Sequence, residues 1–259
     1  MPDEHRLHSR DFVASLDKGL KVLLCFERKH SKLTLAEVAR MTRYSPATAR
    51  RFLMTLHALD YLHSDGKRFW VSPRTLLLAR PYLVSRPAPQ LAQPILDALA
   101  ERTRQSASLG MLLDNEVLII ARSTGRRTLS TGLAIGSRLP IYCSSLGRAL
   151  LSTLPWEDVM TYLAKASYEP WTPRTAPDIA SAADSVARCR STGWADCDEE
   201  LEMGVRAIAV PVPNASGKAL AALSLSVRAE RMTMQEFQEA HLGAIQEAAR
   251  HLGAAIAFD

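Results

Sequence analysis

Cys143 and Cys197 are the residues most suited to nucleophilic chemistry in the second half of the chain. A cysteine nucleophile needs a base, usually histidine, to hold it as thiolate. The seven histidines are His5, His8, His30, His57, His63, His241 and His251, and none falls in the middle of the segment that carries the two cysteines. GxSxG, HExxH, P-loop and dinucleotide fingerprints are absent as well, so no catalytic residue, no metal and no cofactor is expected. Cysteine-dependent hydrolysis of a small acid stays open only as a rival, and small apolar pocket or core positions fit the thiols better.

The remaining chemistry is anion recognition. Ser144, Ser145, Leu146 and Gly147 open a helix whose leading amides and dipole could receive a carboxylate, although ordinary capping explains most serine-rich helix starts. Arg122 closes an apolar strand and could clamp a carboxylate with two bonds or simply pair with Asp or Glu. Asp198, Glu199, Glu200 and Glu202 form an acidic run that reads by default as a solvated loop, with Glu200 or Glu199 able to turn inward and order the next strand. A second basic set, Arg50, Arg51, Lys67 and Arg68, lies in the N-terminal part and suits phosphates and base edges.

The elements that must position this second set span Thr34 to Val71. Thr34 and Glu37 have capping-box spacing, so a helix starts there. Ser45 followed by Pro46 gives an N-cap and a first-turn proline for the next helix. In that helix Ala49, Phe52, Leu53, Leu56 and Leu59 recur on one side. Ala47, Arg50, Arg51 and Met54 project from the other, with the small residues Ser45, Thr48 and Thr55 around them. Strand-formers then flank Asp65-Gly66, a dipeptide suited to a hairpin turn, with Lys67 and Arg68 at its tip. Helix, link, helix and basic hairpin in this order predict a winged helix-turn-helix that enters a major groove. A small helical subdomain with a merely solvated basic face is one alternative, and a winged helix that binds another protein, with the second domain as an oligomerisation platform, is the rival reading.

The charge balance favours DNA. Residues 1 to 85 hold 15 Lys and Arg against 8 Asp and Glu, a balance of +7, while the remainder holds 17 against 19, a balance of −2. Such a split is expected when one domain meets a polyanion. With 259 residues and 47% hydrophobic content the chain suggests two domains. No apolar run can cross a bilayer and the charged first residues lack a secretion signal, so no membrane partner and a cytoplasmic location are expected. Four cysteines without CxxC spacing fit reduced thiols.

In order, residues 1 to 14 read as a polar arm. Leu16, Leu20, Leu23 and Leu24 predict a helix from Ser15 to Arg28 beneath the reader. Residues 73 to 88 read as a linker helix broken near Pro81, with a boundary at Pro87 to Pro89. Domains are therefore drawn at 1 to 72 and 89 to 259. Leu91 to Arg104 forms a helix, followed by two strands around Asp114-Asn115 and a third near Thr128 to Leu133. Helices follow from Ser144, Val159 and Ile179, then two long strands around Asn214 to Gly217 and a last helix from Thr233. This is an α+β domain, a mostly antiparallel sheet with flanking helices.

The reader, the run GSRLPIYCSSLGRALL and the block GWADCDEELEMGVRAIAVPV resemble IclR-type bacterial transcriptional regulators over nearly the whole chain. The YCSSLGR and ELEMG runs are similar to the subgroup that controls aromatic-acid breakdown through the β-ketoadipate pathway. The resemblance implies a winged helix-turn-helix dimer, often a dimer of dimers, on a pseudo-palindromic double-stranded DNA operator, and a GAF-like effector domain. By position it implies a pocket formed by the Ser145 and Leu146 amides, Cys197 and Ala207. Cys197 and Ala207 replace the Asp and Cys of members that bind small oxo-acids, which favours an aromatic acid such as protocatechuate or 4-hydroxybenzoate over another small organic acid. The ring of such an effector is expected against Met111, Leu223 and the thiols of Cys143 and Cys197, with Arg122, Ser144 and Glu200 nearby.

Overall fold

The computed structural model describes residues 11–26, 30–85, 87–125, 132–213 and 219–255, and the chain divides into two compact units, Met1–Ser85 and Arg86–Asp259. The expected arm falls largely outside the described residues, as does the end of the first predicted helix. In the first unit α1 (Ala14–Leu23) precedes β1 (Leu33–Thr34), α2 (Leu35–Thr42), α3 (Pro46–Ala58), β2 (Leu62–Ser64) and β3 (Arg68–Val71). The capping box that starts α2 is complete. The Thr34 amide donates to Glu37 Oε2 at 2.7 Å, and the Glu37 amide donates to Thr34 Oγ1 at 3.3 Å. Arg43, left-handed at φ 58°, ends the helix and turns the chain toward α3. β1, β3 and β2 form an antiparallel sheet in that order, with the β2–β3 hairpin as the wing.

Val22, Leu33, Val38, Ala49, Leu53, Leu62 and Phe69 form the core of this unit. The face of α1 that joins it differs from the expected leucine stripe: Val22 is buried, whereas Leu16, Leu20 and Leu24 are 63%, 48% and 67% exposed. Close packing decides this. A Cβ on Gly19 would lie 3.6 Å from the Phe52 ring, so α1 meets α3 along its small-residue side, with Leu23 half-buried against the core and Leu16, Leu20 and Leu24 turned outward.

A 3-10 turn at Pro73–Thr75 leads into α4 (Leu76–Ser85), which continues through Pro81 instead of breaking there. A proline removes one amide and crowds one carbonyl, and a helix can absorb that locally. α5 (Pro87–Thr103) starts at the prolines expected to mark a boundary, four residues before Leu91. Near a helix start a missing amide costs little, because those amides have no partner within the helix.

The second unit is built on a six-stranded antiparallel sheet of order β6-β5-β4-β9-β8-β7. Its strands are β4 (Ser106–Leu113), β5 (Glu116–Ser123), β6 (Arg138–Pro140), β7 (Ala195–Asp198), β8 (Val205–Pro213) and β9 (Ala219–Arg228). The remaining helices are α6 (Ser145–Leu151), α7 (Trp156–Ala164), α8 (Ile179–Thr192) and α9 (Met234–Ala255). Most of the strand expected near Thr128 to Leu133, and the turn at Asn214 to Gly217, lie outside the described residues. The strand that follows β5 in the sheet is β6, with Leu139 opposite Val117.

Strand alternation divides the sheet into two differently used faces. Leu109, Val210, Leu223 and Leu225 join Phe237 and Ile245 of α9 and Leu96 of α5 in one core. On the other face Val117, Ile119, Ala209 and Ala222 pack against Leu146, Ala149 and Leu150 of α6.

Candidate DNA interface and small-molecule site

On α3 the two sides separate as the periodicity requires. Ala49 and Leu53 are buried, Phe52 and Leu56 half-buried, and Ser45, Ala47, Arg50, Arg51, Met54 and Thr55 exposed. Leu59, expected inside, is 54% exposed because it follows the last helical turn. The Ser45 hydroxyl accepts the Thr48 amide at 3.2 Å and donates to Thr48 Oγ1 at 2.9 Å, which fixes the start of the helix. Thr55 donates to the Arg51 carbonyl at 2.8 Å, so its hydroxyl is turned back on the helix. Among the described residues no carboxylate lies within ion-pair distance of Arg50, Arg51 or Lys67.

The wing is closed by Asp65, whose Oδ1 accepts the Lys67 amide at 2.9 Å and the Arg68 amide at 2.7 Å. Those backbone bonds hold its carboxyl below the usual carboxylate range. Only Gly66 of the Asp65-Gly66 pair takes positive φ, at 91°, because the Asp65 side chain organises the turn. Lys67 and Arg68 are exposed at the tip, and Lys32 sits 4.5 Å above the Trp70 ring.

In the second unit α6 opens as the serines suggest. Ser144 is the N-cap, accepting the Gly147 amide at 3.2 Å and donating to the Pro140 carbonyl at 2.5 Å. The Arg148 amide reaches the Ser144 carbonyl at 3.1 Å. The Ser145 and Leu146 amides, by contrast, have no protein acceptor among the described residues. Capping and two unengaged amides therefore coexist at one helix start. Gly147 is required there, since a Cβ would fall 2.2 Å from the Ile141 carbonyl oxygen.

Register places a row of small residues across the α6-facing side of the sheet: Ser106 beside Ser226, Ser226 beside Ala207, and Ala207 beside Cys197. One repeat along, Ser108 lies beside Ser224, which lies beside Ala209. Next come Gly110 and Ala222, with Leu146 above Gly110. Cys197 Sγ donates to the Cys143 carbonyl at 3.2 Å, tying this floor to the approach of α6.

Arg122 reaches the same face through a β-bulge. Leu109 pairs with Ala121 but Gly110 pairs with Ile119, so one residue of β5 is extra. Ile120 and Ala121 both turn into the α5/α9 core, while Ile119 packs on the α6 side. This shift brings Arg122 to the α6 side, where its Nη1 donates to Ser108 Oγ at 2.8 Å. Its side chain is half-buried, and burial lowers its pKa. Behind it, Gln93 Nε2 of α5 donates to the Arg122 carbonyl at 3.2 Å.

Three expected pocket residues are corrected. Met111 and Leu223 belong to the core against α5 and α9, so alternation turns both away from the α6 start. Glu200 faces inward, but both of its oxygens accept from Arg148, each at 2.6 Å, so it acts as a brace. The brace was missed in the sequence together with its cation. Arg148 is 2% exposed and also donates to the carbonyls of Tyr142 at 3.2 Å and Asp196 at 2.9 Å. An arginine embedded in the apolar run LGRALL was the available signal, because a buried guanidinium must be paired. The alternating serines of SAS and SLS were also available, marking one face of each strand. Glu199 caps the same turn, accepting the Gly204 amide at 2.8 Å.

The thiols do not suit nucleophilic catalysis. Burial pushes Cys143 up to about 12 and Cys197 up to about 11, so both stay protonated. His241 and His251 are carried by α9, whose core contacts lie on the opposite side of the sheet. Among the described residues no group of His, Cys, Asp and Glu could hold a metal ion, and no helix is long and apolar enough to cross a membrane.

Comparison with known proteins fits both halves of this picture. Residues 15–66 match the IclR helix-turn-helix domain, and residues 81–254 match the C-terminal domain of the bacterial transcriptional regulator IclR. The chain is 38% identical to the Pca regulon regulatory protein of Pseudomonas putida over 93% of its length and 84% of the relative's. It is 33% identical to the p-hydroxybenzoate hydroxylase transcriptional activator of Acinetobacter baylyi, covering 95% of this chain and 93% of that protein. The crystal structure of a double mutant of the PobR inducer-binding domain from Acinetobacter, in complex with 3-hydroxybenzoic acid, aligns with TM-score 0.61 and 31% identity. That alignment covers 65% of this chain and 98% of the other.

Proposed function

The chain belongs to the IclR family of bacterial transcriptional regulators, and on that premise we propose that it is a cytoplasmic, non-enzymatic switch that binds operator DNA and senses an aromatic carboxylic acid. Residues 1 to 72 are the reader, 73 to 88 the linker and 89 to 259 the effector domain. Arg50 and Arg51, flanked by Ser45, Ala47, Thr48 and Thr55, enter the major groove, while Lys67 and Arg68 meet the backbone. A symmetric dimer reads a pseudo-palindrome, and two dimers assemble on DNA. The outward leucines of α1 and the exposed Leu76 and Leu77 of α4 support pairing with a second copy.

One observation carries the effector half: the bulge that turns Arg122 onto a floor of serines, Ala207 and Cys197. Small side chains suit the face of a flat ring, and Arg122 with Ser108 supplies the charge for a carboxylate. The Ser145 and Leu146 amides add donors from above. Names of relatives support an aromatic acid, through p-hydroxybenzoate hydroxylase activation in one and a 3-hydroxybenzoic acid complex in another. Calorimetry of the full chain with protocatechuate, 4-hydroxybenzoate and pyruvate tests this reading. Binding of an aromatic acid at micromolar concentrations is expected, and binding of pyruvate alone would overturn it.

Response to the ligand follows from linkage. An acid that binds one arrangement of the dimer more tightly shifts the population toward it and changes operator affinity, and bound operator changes the affinity for the acid by the same factor. The Gln93 bond to the Arg122 carbonyl joins the sensing strand to α5, the helix nearest the linker in the chain.

A further inference from the structure

Ser106 opens β4 and is only 1% exposed, yet its hydroxyl has no hydrogen-bond partner among the described residues. Buried hydroxyls are normally satisfied, and one left alone destabilises the folded chain. Alternation puts Ser106 on the same face as Ser108, and register sets it beside Ser226. The two serines of β4 differ in one respect: Ser108 already accepts from Arg122, whereas Ser106 is uncommitted.

The face thus has a cationic end at Arg122 and Ser108 and a neutral hydroxyl end at Ser106. They are separated by one two-residue strand repeat, roughly 6.5 Å. That is about the span across a para-disubstituted benzene ring, with its carboxylate at the first end. We propose that Ser106 recognises the ring hydroxyl of a para-hydroxylated aromatic acid. A neutral hydroxyl suits a phenol, which both donates and accepts, and does not suit a second carboxylate, which needs a cation. The inference rests on the aromatic-acid reading above and adds the residue that selects among such acids. A site that leaves a buried hydroxyl unpaired discriminates against the analogue lacking its partner.

The test is calorimetry of the full chain with 4-hydroxybenzoate and with benzoate, on the wild type, Ser106→Ala and Ser106→Thr. The wild type should prefer 4-hydroxybenzoate by roughly 10-fold, the worth of one hydrogen bond at the upper end of its range. Ser106→Ala should bring the ratio close to one by weakening 4-hydroxybenzoate more than benzoate, and its melting temperature should not fall. Ser106→Thr, which keeps the hydroxyl, should retain a preference. An undiminished ratio in Ser106→Ala, or a wild type indifferent to the hydroxyl, would overturn the assignment of Ser106 while leaving aromatic-acid binding intact. Failure of the wild type to bind either acid would overturn the aromatic-acid reading and this inference with it.

Discussion

In the N-terminal unit Arg50 and Arg51 stand exposed with no carboxylate in ion-pair range among the described residues. In the C-terminal unit Arg148 is 2% exposed and forked onto Glu200, and Arg206 donates to Asp198 at 2.6 Å and to the carbonyls of Ala229 and Met232 at 2.8 and 2.6 Å. The first unit holds 15 cations and 8 acids in its 85 residues and the second 17 and 19 in the rest of the 259, so the two carry acids at similar density and the first is richer in cations that no acid can match. A cation without an internal partner is available to a polyanion, and one that is paired and buried holds its own fold together.

The largest expected effect breaks the paired side of this contrast. Arg148→Ala leaves Glu200 without its fork, and urea unfolding should report a loss of about 3–5 kcal/mol. A loss below 1 kcal/mol would mean that the brace is expendable. Arg51→Ala tests the unpaired side. It should weaken operator binding by about 1–3 kcal/mol and relax sequence choice, with thermal stability unchanged. Fluorescence anisotropy on matched and mutated operators measures both. Lys67→Ala should act more weakly and evenly on all duplexes, lowering the slope of log affinity against log salt by about one. A change in sequence preference in that variant would move the wing from backbone to bases.

The smallest effect concerns the frame under the reader. Amide and hydroxyl bonds from Thr34 hold the Glu37 carboxyl below its ordinary range. The stabilisation from this lowered value is complete above the ordinary carboxylate pKa and is lost as pH falls through the folded value. The melting temperature of the wild type should therefore exceed that of Glu37→Gln near neutrality, with the gap closing in acid. A gap that widened in acid would contradict the capping box.

Legibility in the sequence follows the range of the interactions. Thr34 with Glu37, Ser45 with Pro46, and Asp65 with Gly66 act within a few residues, so the order of elements in the reader could be read directly. The packing face of α1 could not, because Gly19 and Val22 compete with a more conspicuous leucine stripe and only contact with Phe52 decides between them. In the second unit the serine cap of α6 and the buried setting of the cysteines were legible from local chemistry. Met111 and Leu223 were misplaced because the face a strand residue occupies depends on register with partners far along the chain. Arg122 depends on the extra residue at Ile120, which no local signal marks. Arg148 and Glu200 meet across 52 positions, and only the buried-cation rule could have linked them.

The most direct test of a DNA reader governed by an acid sensor is operator affinity of the full chain measured with and without 4-hydroxybenzoate. Saturating acid should change that affinity by several-fold, and saturating operator should change the affinity for the acid by the same factor. Equal operator affinity in both conditions despite bound acid, or no affinity for any duplex at low ionic strength, would contradict it.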